Sequence, residues 1–141
     1  MMTVKALYIK PVKKGEARTV EKINLIKDFG PEGDAYGGPG ERQITLLGDE
    51  DLKGLEEDRE KGLCIKRFSA NIILEGSTSL LKEGDMLKLG KATIRITGEK
   101  KVCHKGCAIV EEEKRICLLP GSVRFASIET GGEVKKGETL R

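Results

Sequence analysis

Tryptophan is absent, histidine occurs once, and two Tyr and three Phe bring aromatics to only 4% of the chain. Proteins that hold single-stranded nucleic acid stack bases on aromatic platforms along a basic track. Neither feature is present: Lys plus Arg number 26 against 23 Asp plus Glu, and the net charge of +3 is the small difference of two interleaved populations. Nucleic acid is therefore not an expected partner. Long apolar runs are missing as well, so no segment is suited to crossing a bilayer as a helix. The first fourteen residues place Lys5, Lys10, Lys13 and Lys14 among the apolar positions where a signal peptide would need an unbroken apolar stretch. The expectation is a cytoplasmic protein without a membrane partner. In that compartment thiols stay reduced, so the four cysteines call for metal binding, reactivity or plain burial instead of disulfides.

What the chain has in excess is glycine, 18 of 141 residues, nearly twice the usual share of about 7%. Its length suits a single domain over 1–141. Frequent glycine punctuation between short apolar stretches predicts many short strands, at 4–9, 20–25, 43–47, 70–74, 86–89, 93–97, 108–110, 116–119, 125–129 and 134–140. A surface helix is expected over 49–61, capped by Asp49, with Glu50 and Asp51 at its positive end, Leu52, Leu55 and Arg59 at helical spacing, and Gly62 as its stop. A shorter helix is expected from Ser77, carrying Leu80 and Leu81. The stretch Leu81-Lys82-Glu83-Gly84-Asp85-Met86-Leu87 recurs loosely as Val134-Lys135-Lys136-Gly137-Glu138-Thr139-Leu140, which reads as one turn chemistry used twice, a glycine turn feeding a strand. Without βαβ alternation the fold class is mainly β, a closed or nearly closed barrel with one or two short surface helices.

Three segments could carry chemistry. Residues 30–43 hold five glycines, among them Gly33, next to Asp34 and followed by Arg42 and Gln43. Such a loop can turn backbone N–H groups toward an anion while Arg42 offers a fork to phosphate or carboxylate, or it can be a plain hairpin loop. Asn71 stands at a strand entrance, where an amide satisfies a turn or orients a ligand. The third segment gathers Cys103, His104, Cys107 and Cys117, three of the four cysteines and the only histidine. Lys101, His104 and Lys105 favour the thiolate at Cys103 or Cys107. On residues alone a zinc site, inert buried thiols and a reactive thiol all stay open. Adjacent Cys103 and His104 point apart in an extended chain, which weighs against a shared zinc tetrahedron. Cys64 and Cys117, flanked by apolar residues, suit burial. His104 has no identifiable orienting carboxylate, so no hydrolytic triad can be assembled.

Taken in order, several short motifs resemble the MOSC domain family, named for the C-terminal domain of molybdenum-cofactor sulfurases. They are Gly33-Asp34-Ala35-Tyr36-Gly37-Gly38, Arg42-Gln43-Ile44-Thr45-Leu46-Leu47, Phe68-Ser69-Ala70-Asn71-Ile72, the Gly84-Asp85 and Leu89-Gly90 turns, and Ile96-Thr97-Gly98 leading to a cysteine. Tyr36 stands where many relatives have His, and Ser69-Ala70 where a charged pair is frequent. The resemblance implies a β-barrel-like fold of the compact bacterial type with a cysteine in a cleft. It implies a thiol, Cys103 or Cys107, that either carries sulfur as a persulfide or ligates molybdenum. Gly33, Asp34, Arg42, Gln43, Asn71 and His104 would then shape a site for the molybdenum cofactor. The implied partner is a pyridoxal-phosphate cysteine desulfurase, or a protein that makes or accepts the molybdenum cofactor; no pyridoxal-phosphate site is identified in the chain itself. Any activity, sulfurtransferase-like or molybdenum-dependent, would need such a partner. The competing expectation is a barrel that scaffolds cofactor assembly with its cysteines inert.

Overall fold

Alternation of apolar and polar residues drives the architecture. In strand β9 (Arg124–Thr130) residues 124, 126 and 128 are buried and their neighbours are not, and in β3 (Lys22–Ile26) only Ile23 and Leu25 turn inward, the period of two of a pleated strand. The structure is a computed structural model describing residues 2–12, 16–35, 37–40, 43–50, 70–99 and 123–140. The other strands are β1 (Met2–Ile9), β2 (Arg18–Val20), β4 (Gly30–Pro31), β5 (Ile44–Gly48), β6 (Ile72–Leu74), β7 (Met86–Leu89), β8 (Ala92–Glu99), β10 (Gly132–Lys135) and β11 (Thr139–Leu140).

The larger sheet runs β11-β7-β8-β9-β5-β6-β1-β2, and β11 also pairs with β1. Hydrogen bonding therefore passes round a ring of strands, with β2 attached to the outer half of β1. All pairings in it are antiparallel except β5 with β6. Side chains from every ring strand, including Val4, Leu7, Leu46, Ile72, Leu89, Ile94, Ile128 and Leu140, meet in one core. A second sheet, β10-β3-β4, adds Ile23, Leu25 and Val134 to that core. This is the mainly β, barrel-like architecture expected. Among the described residues no helix is long and apolar enough to cross a membrane.

Two expected strands are each two. The stretch 20–25 breaks at Glu21, where the chain leaves the ring for the second sheet, and 134–140 breaks at the turn 136–138. That turn and its sequence twin at 82–85 have the same build. Gly84 and Gly137 take φ of 94° and 93°. Asp85 N bonds Lys82 O at 3.0 Å while Asp85 Oδ2 accepts from Lys82 N at 2.9 Å; Glu138 N bonds Lys135 O at 3.1 Å while Glu138 Oε1 accepts from Lys135 N at 3.0 Å. The strands the two turns feed, β7 and β11, are neighbours in the ring, paired through Leu89 and Leu140.

Of the helix expected over 49–61, Asp49 and Glu50 are helical and the remainder lies outside the described residues. Asp49 uses its carboxylate to fasten another segment, accepting from Gly76 N at 2.8 Å. The shorter helix is a single 3-10 turn, Thr78–Leu80, with Leu81 buried behind it and Leu80 exposed. The expected strands 108–110 and 116–119 also lie outside the described residues.

The segment 76–81 lies against the end of β5. Glu50 N bonds Gly76 O at 3.1 Å, and Gly48 N bonds the fully buried Thr78 Oγ1 at 3.1 Å. A Cβ at Gly48 would strike the Gly76 carbonyl oxygen and sit 2.8 Å from Ser77 Cα and Thr78 N. Gly48→Ala is therefore expected to destabilise the fold by about 1–3 kcal/mol, the usual cost of overpacking. Urea unfolding checks this, and a loss below about 0.5 kcal/mol would mean that the segment gives way freely.

Candidate functional site

Asn71, immediately before β6, has every polar group of its side chain engaged. Oδ1 accepts from Thr45 N of β5 at 2.9 Å; Nδ2 donates to Asp34 Oδ2 at 2.7 Å and to Tyr8 O of β1 at 3.4 Å. Its backbone joins the same two strands, with Asn71 N bonded to Thr45 O at 3.0 Å and Tyr8 N to Asn71 O at 2.8 Å. One residue thus ties two ring strands to the glycine-rich loop. A parallel pair such as β5 and β6 starts without a connecting hairpin, and here an amide side chain takes over the junction.

Asp34 is buried, at 7% exposure. Glycine turns hold it there: Gly33 adopts φ of 86°, Asp34 N bonds Pro31 O at 3.2 Å, and Gly37 N bonds Asp34 O at 3.2 Å. On the far side Ala35 N bonds Lys10 O at 2.8 Å, and Gly38 N bonds Phe29 O at 2.8 Å. Gly37 lies under the Phe29 ring, so closely that an added Cβ would enter it. Described residues 31–35 and 37–40 form a loop pinned to its surroundings, which explains the density of glycine better than mobility does.

Gln43, 5% exposed, bridges the loop to β9. Its Nε2 donates to Gly40 O at 2.9 Å, its Oε1 accepts from Ile128 N at 2.8 Å, and its backbone N bonds Ala126 O at 3.0 Å. Of the expected site residues, Asp34 and Asn71 touch directly, Gly33 shapes the approach to Asp34, and Gln43 closes the loop's other end. Arg42, Cys103, His104 and Cys107 lie outside the described residues, as do Cys64, Cys117 and Tyr36.

Among the described residues, Glu99 at the end of β8 pairs with Arg124 at the start of β9. Register carries one row across six strands, Glu99, Arg124, Leu46, Ile72, Leu7 and Val20. Asn71 precedes Ile72 and bonds Thr45, so the Asp34–Asn71 pair lies one row away. The start of β9, opposite Leu46, lies toward the far end of β5 from the glycine-rich loop, which is tied to that strand's beginning through Gln43 and through Asn71 on Thr45.

Arg124 itself has a role that sequence reading misses. It is 8% exposed on the inward row of β9, with Nε donating to Leu81 O at 2.9 Å and Nη1 to Val123 O at 3.2 Å. The available signal was its phase with Ala126 and Ile128, which places position 124 on the buried face. A separate groove of about 520 Å³ opens between β1, β2 and the second sheet, lined by Ile9, Val20, Lys22, Ile23, Asn24, Glu32 and Glu133. Its polar groups answer one another, Lys22 with Glu133 at 3.8 Å and Asn24 with Glu32 at 3.2 Å, and none of the described site residues is in its lining. Among the described residues no group of three or more His, Cys, Asp or Glu is placed to hold a metal ion.

Comparison with known proteins gives one family model, described as the MOSC domain, matching residues 29–141. Similar solved structures include the YuaD protein of Bacillus subtilis, with TM-score 0.69 and 19% identity, covering 99% of this chain and 94% of that one. YiiM from Escherichia coli has TM-score 0.64 and 18% identity, covering 100% and 69%. YiiM from Geobacillus stearothermophilus has TM-score 0.64 and 17% identity, covering 99% and 74%. At these identities the likeness is one of fold. No curated protein matches the chain.

Proposed function

The chain belongs to the MOSC domain family, and on that premise we propose that it is a sulfur carrier whose thiol at Cys103 or Cys107 accepts sulfur as a persulfide. The observation that supports the reading is that the family model runs over residues 29–141 and so takes in both cysteines and their cationic neighbours. Lys101, His104 and Lys105 around those cysteines favour the thiolate, the form that attacks sulfur. In the transfer, that thiolate attacks the outer sulfur of a donor persulfide on a cysteine desulfurase. A new S–S bond forms, the donor's S–S bond breaks, and the donor sulfur leaves as a thiolate, so no external oxidant or reductant is consumed.

The molybdenum cofactor associated with the family carries a phosphate, which asks for cations or free N–H donors. The described candidates do not fit that task. Asn71 uses its oxygen and both N–H groups on Thr45, Tyr8 and Asp34; Gln43 bonds the protein through both ends of its amide; Asp34 adds a carboxylate. We assign these three to the frame that shapes the site, and no step of the transfer is routed through the cofactor.

The experiment is incubation of the reduced protein with a cysteine desulfurase and cysteine, followed by peptide-mapped mass spectrometry. One reducible extra sulfur on Cys103 or Cys107 is expected, lost in the corresponding Cys103→Ser or Cys107→Ser variant and retained in the other. No added sulfur while the desulfurase stays active would overturn direct transfer and favour the scaffold.

A further inference from the structure

We propose that the groove between β1, β2 and the second sheet is a binding site for a small aliphatic amine, with Glu32 receiving the ammonium group and Ile9, Val20 and Ile23 the hydrocarbon chain. The site does not involve the cysteines and stands apart from the sulfur-carrier reading.

The groove's volume of about 520 Å³ falls within the range of about 300–1,000 Å³ usual for small-molecule sites. Its apolar lining is wholly aliphatic: Ile9 of β1, Val20 of β2 and Ile23 of β3. The segments that line it are fixed to one another by backbone hydrogen bonds. Glu32 N bonds Asn24 O at 2.9 Å, and Ala35 N bonds Lys10 O at 2.8 Å, one residue beyond Ile9. Lys136 N bonds Glu21 O at 3.0 Å, where the chain passes from β2 to β3. A site built on such fixed segments loses little freedom when a ligand enters.

Charge decides what kind of ligand fits. Glu32, Asn24 and Glu133 stand in one row across the second sheet, because Glu133 pairs with Asn24 in register and Glu32 bonds that residue from the other side. The two carboxylates keep different company. Glu133 lies between two ammonium groups, Lys22 Nζ at 3.8 Å and Lys135 Nζ at 3.5 Å. Glu32 has no cation among the described residues; its Oε2 accepts from Asn24 Nδ2 at 3.2 Å, which orients the carboxylate and leaves Oε1 to accept from a ligand. Among the lining residues the unbalanced charge is therefore negative and sits at Glu32, the mark of a site for a cation. A guanidinium fork would have to share Oε2 with Asn24, whereas an ammonium group needs only the open oxygen. A second ammonium on the same ligand gains nothing at the other end of the row, roughly 10 Å away across two strand spacings, because Lys22 and Lys135 already hold Glu133 and repel it. The chemistry left is one ammonium on a hydrocarbon chain, each methylene of which gains by leaving water for the aliphatic lining.

Hexylamine is the probe, with hexanol and hexanoate as its neutral and anionic counterparts and 1,6-diaminohexane as the ligand with a second ammonium. Methyl NMR of the full chain at pH 7 and low salt reads the site. The methyl signals of Ile9, Val20 and Ile23 are expected to shift saturably with hexylamine, with half-saturation on the order of 1–10 mM, the range open to a ligand of so few heavy atoms. Those of Ile72 and Ile94, in the core away from the groove, are expected to stay in place. Hexanol and hexanoate are expected to bind about threefold or more weakly, the scale of an exposed ion pair, and the diamine no more tightly than its two equivalent ends account for. Glu32→Gln, at an exposed position and still able to accept from Asn24, is expected to weaken hexylamine about three- to fivefold and to leave hexanol unchanged. The proposal is overturned if hexylamine moves none of the three methyl groups up to about 50 mM, or if it moves the core signals alike. It is equally overturned if hexanol or hexanoate matches hexylamine, or if Glu32→Gln binds hexylamine as the wild type does. Markedly tighter binding of the diamine would overturn the single-ammonium site and make Glu133 a second receiver.

Discussion

Gly30→Ala is expected to remove on the order of 4 kcal/mol from the folded state, combining backbone strain of about 1–3 kcal/mol with overpacking of similar size. Gly30 is buried, opens β4, and holds φ of 122°, a conformation side chains rarely adopt. An added Cβ would also run into the backbone carbonyl oxygen of Gln43. That oxygen cannot retreat cheaply, because Gln43 is bonded through its N–H to Ala126 and through its side chain to Ile128 and Gly40. Relief of the clash would therefore have to shift the β5–β9 ladder or the glycine-rich loop. Against a total stability of about 5–15 kcal/mol for an ordinary domain, such a loss leaves a marginal protein. Chemical unfolding of the variant measures it, and a midpoint indistinguishable from wild type would show that the loop and Gln43 are not rigidly joined.

Asn71→Ala should cost about 2–4 kcal/mol, since it strands Thr45 N and takes one donor from Asp34 Oδ2 at partly buried positions. The backbone bonds of residue 71 to Thr45 and Tyr8 do not involve the side chain, so the register of β6 is expected to survive and the damage to concentrate where Asp34 meets the ring. A double-mutant cycle with Asp34→Ala separates the two contributions. Coupling of about 1–3 kcal/mol is expected for groups in direct contact, and additive losses would mean that the 2.7 Å contact between Asn71 and Asp34 contributes little. In the sulfur-transfer assay the same variant tests whether the frame matters to the thiol.

Strands with regular alternation, such as β3 and β9, were legible because the pattern that buries them is local. The glycine turn at 82–85 and its twin at 136–138 were legible for the same reason, and the twin turns prove to have the same hydrogen bonds. Contacts between distant segments were not. Asn71 before an apolar run has the look of a turn residue, while its partners Thr45, Asp34 and Tyr8 lie 26, 37 and 63 positions away. Arg124 is one charge among many in a chain that is 35% charged, and only its phase in β9 betrays burial. β4 escaped because two residues, one of them proline, carry no periodicity. The break at Glu21 escaped because Val20, Ile23 and Leu25 read as one apolar stretch until two separate sheets are known to claim them. For the candidate site, motif resemblance selected Asp34, Gln43 and Asn71, but it could not tell a side chain that contacts a ligand from one that holds the protein's own loop.

The pairing of β1 with β11 has a kinetic consequence. Met2 stands opposite Leu140 and Thr3 opposite Thr139, so the ladder that completes the ring joins residues separated by nearly the whole chain. Contacts of such sequence separation reward the chain only after most of its loop entropy is lost, and domains dominated by them fold in milliseconds to seconds. Refolding of this protein is accordingly expected to be slow for its length, with the two terminal strands the last to acquire protection, and a strand edge on β1 left open to other chains until they do.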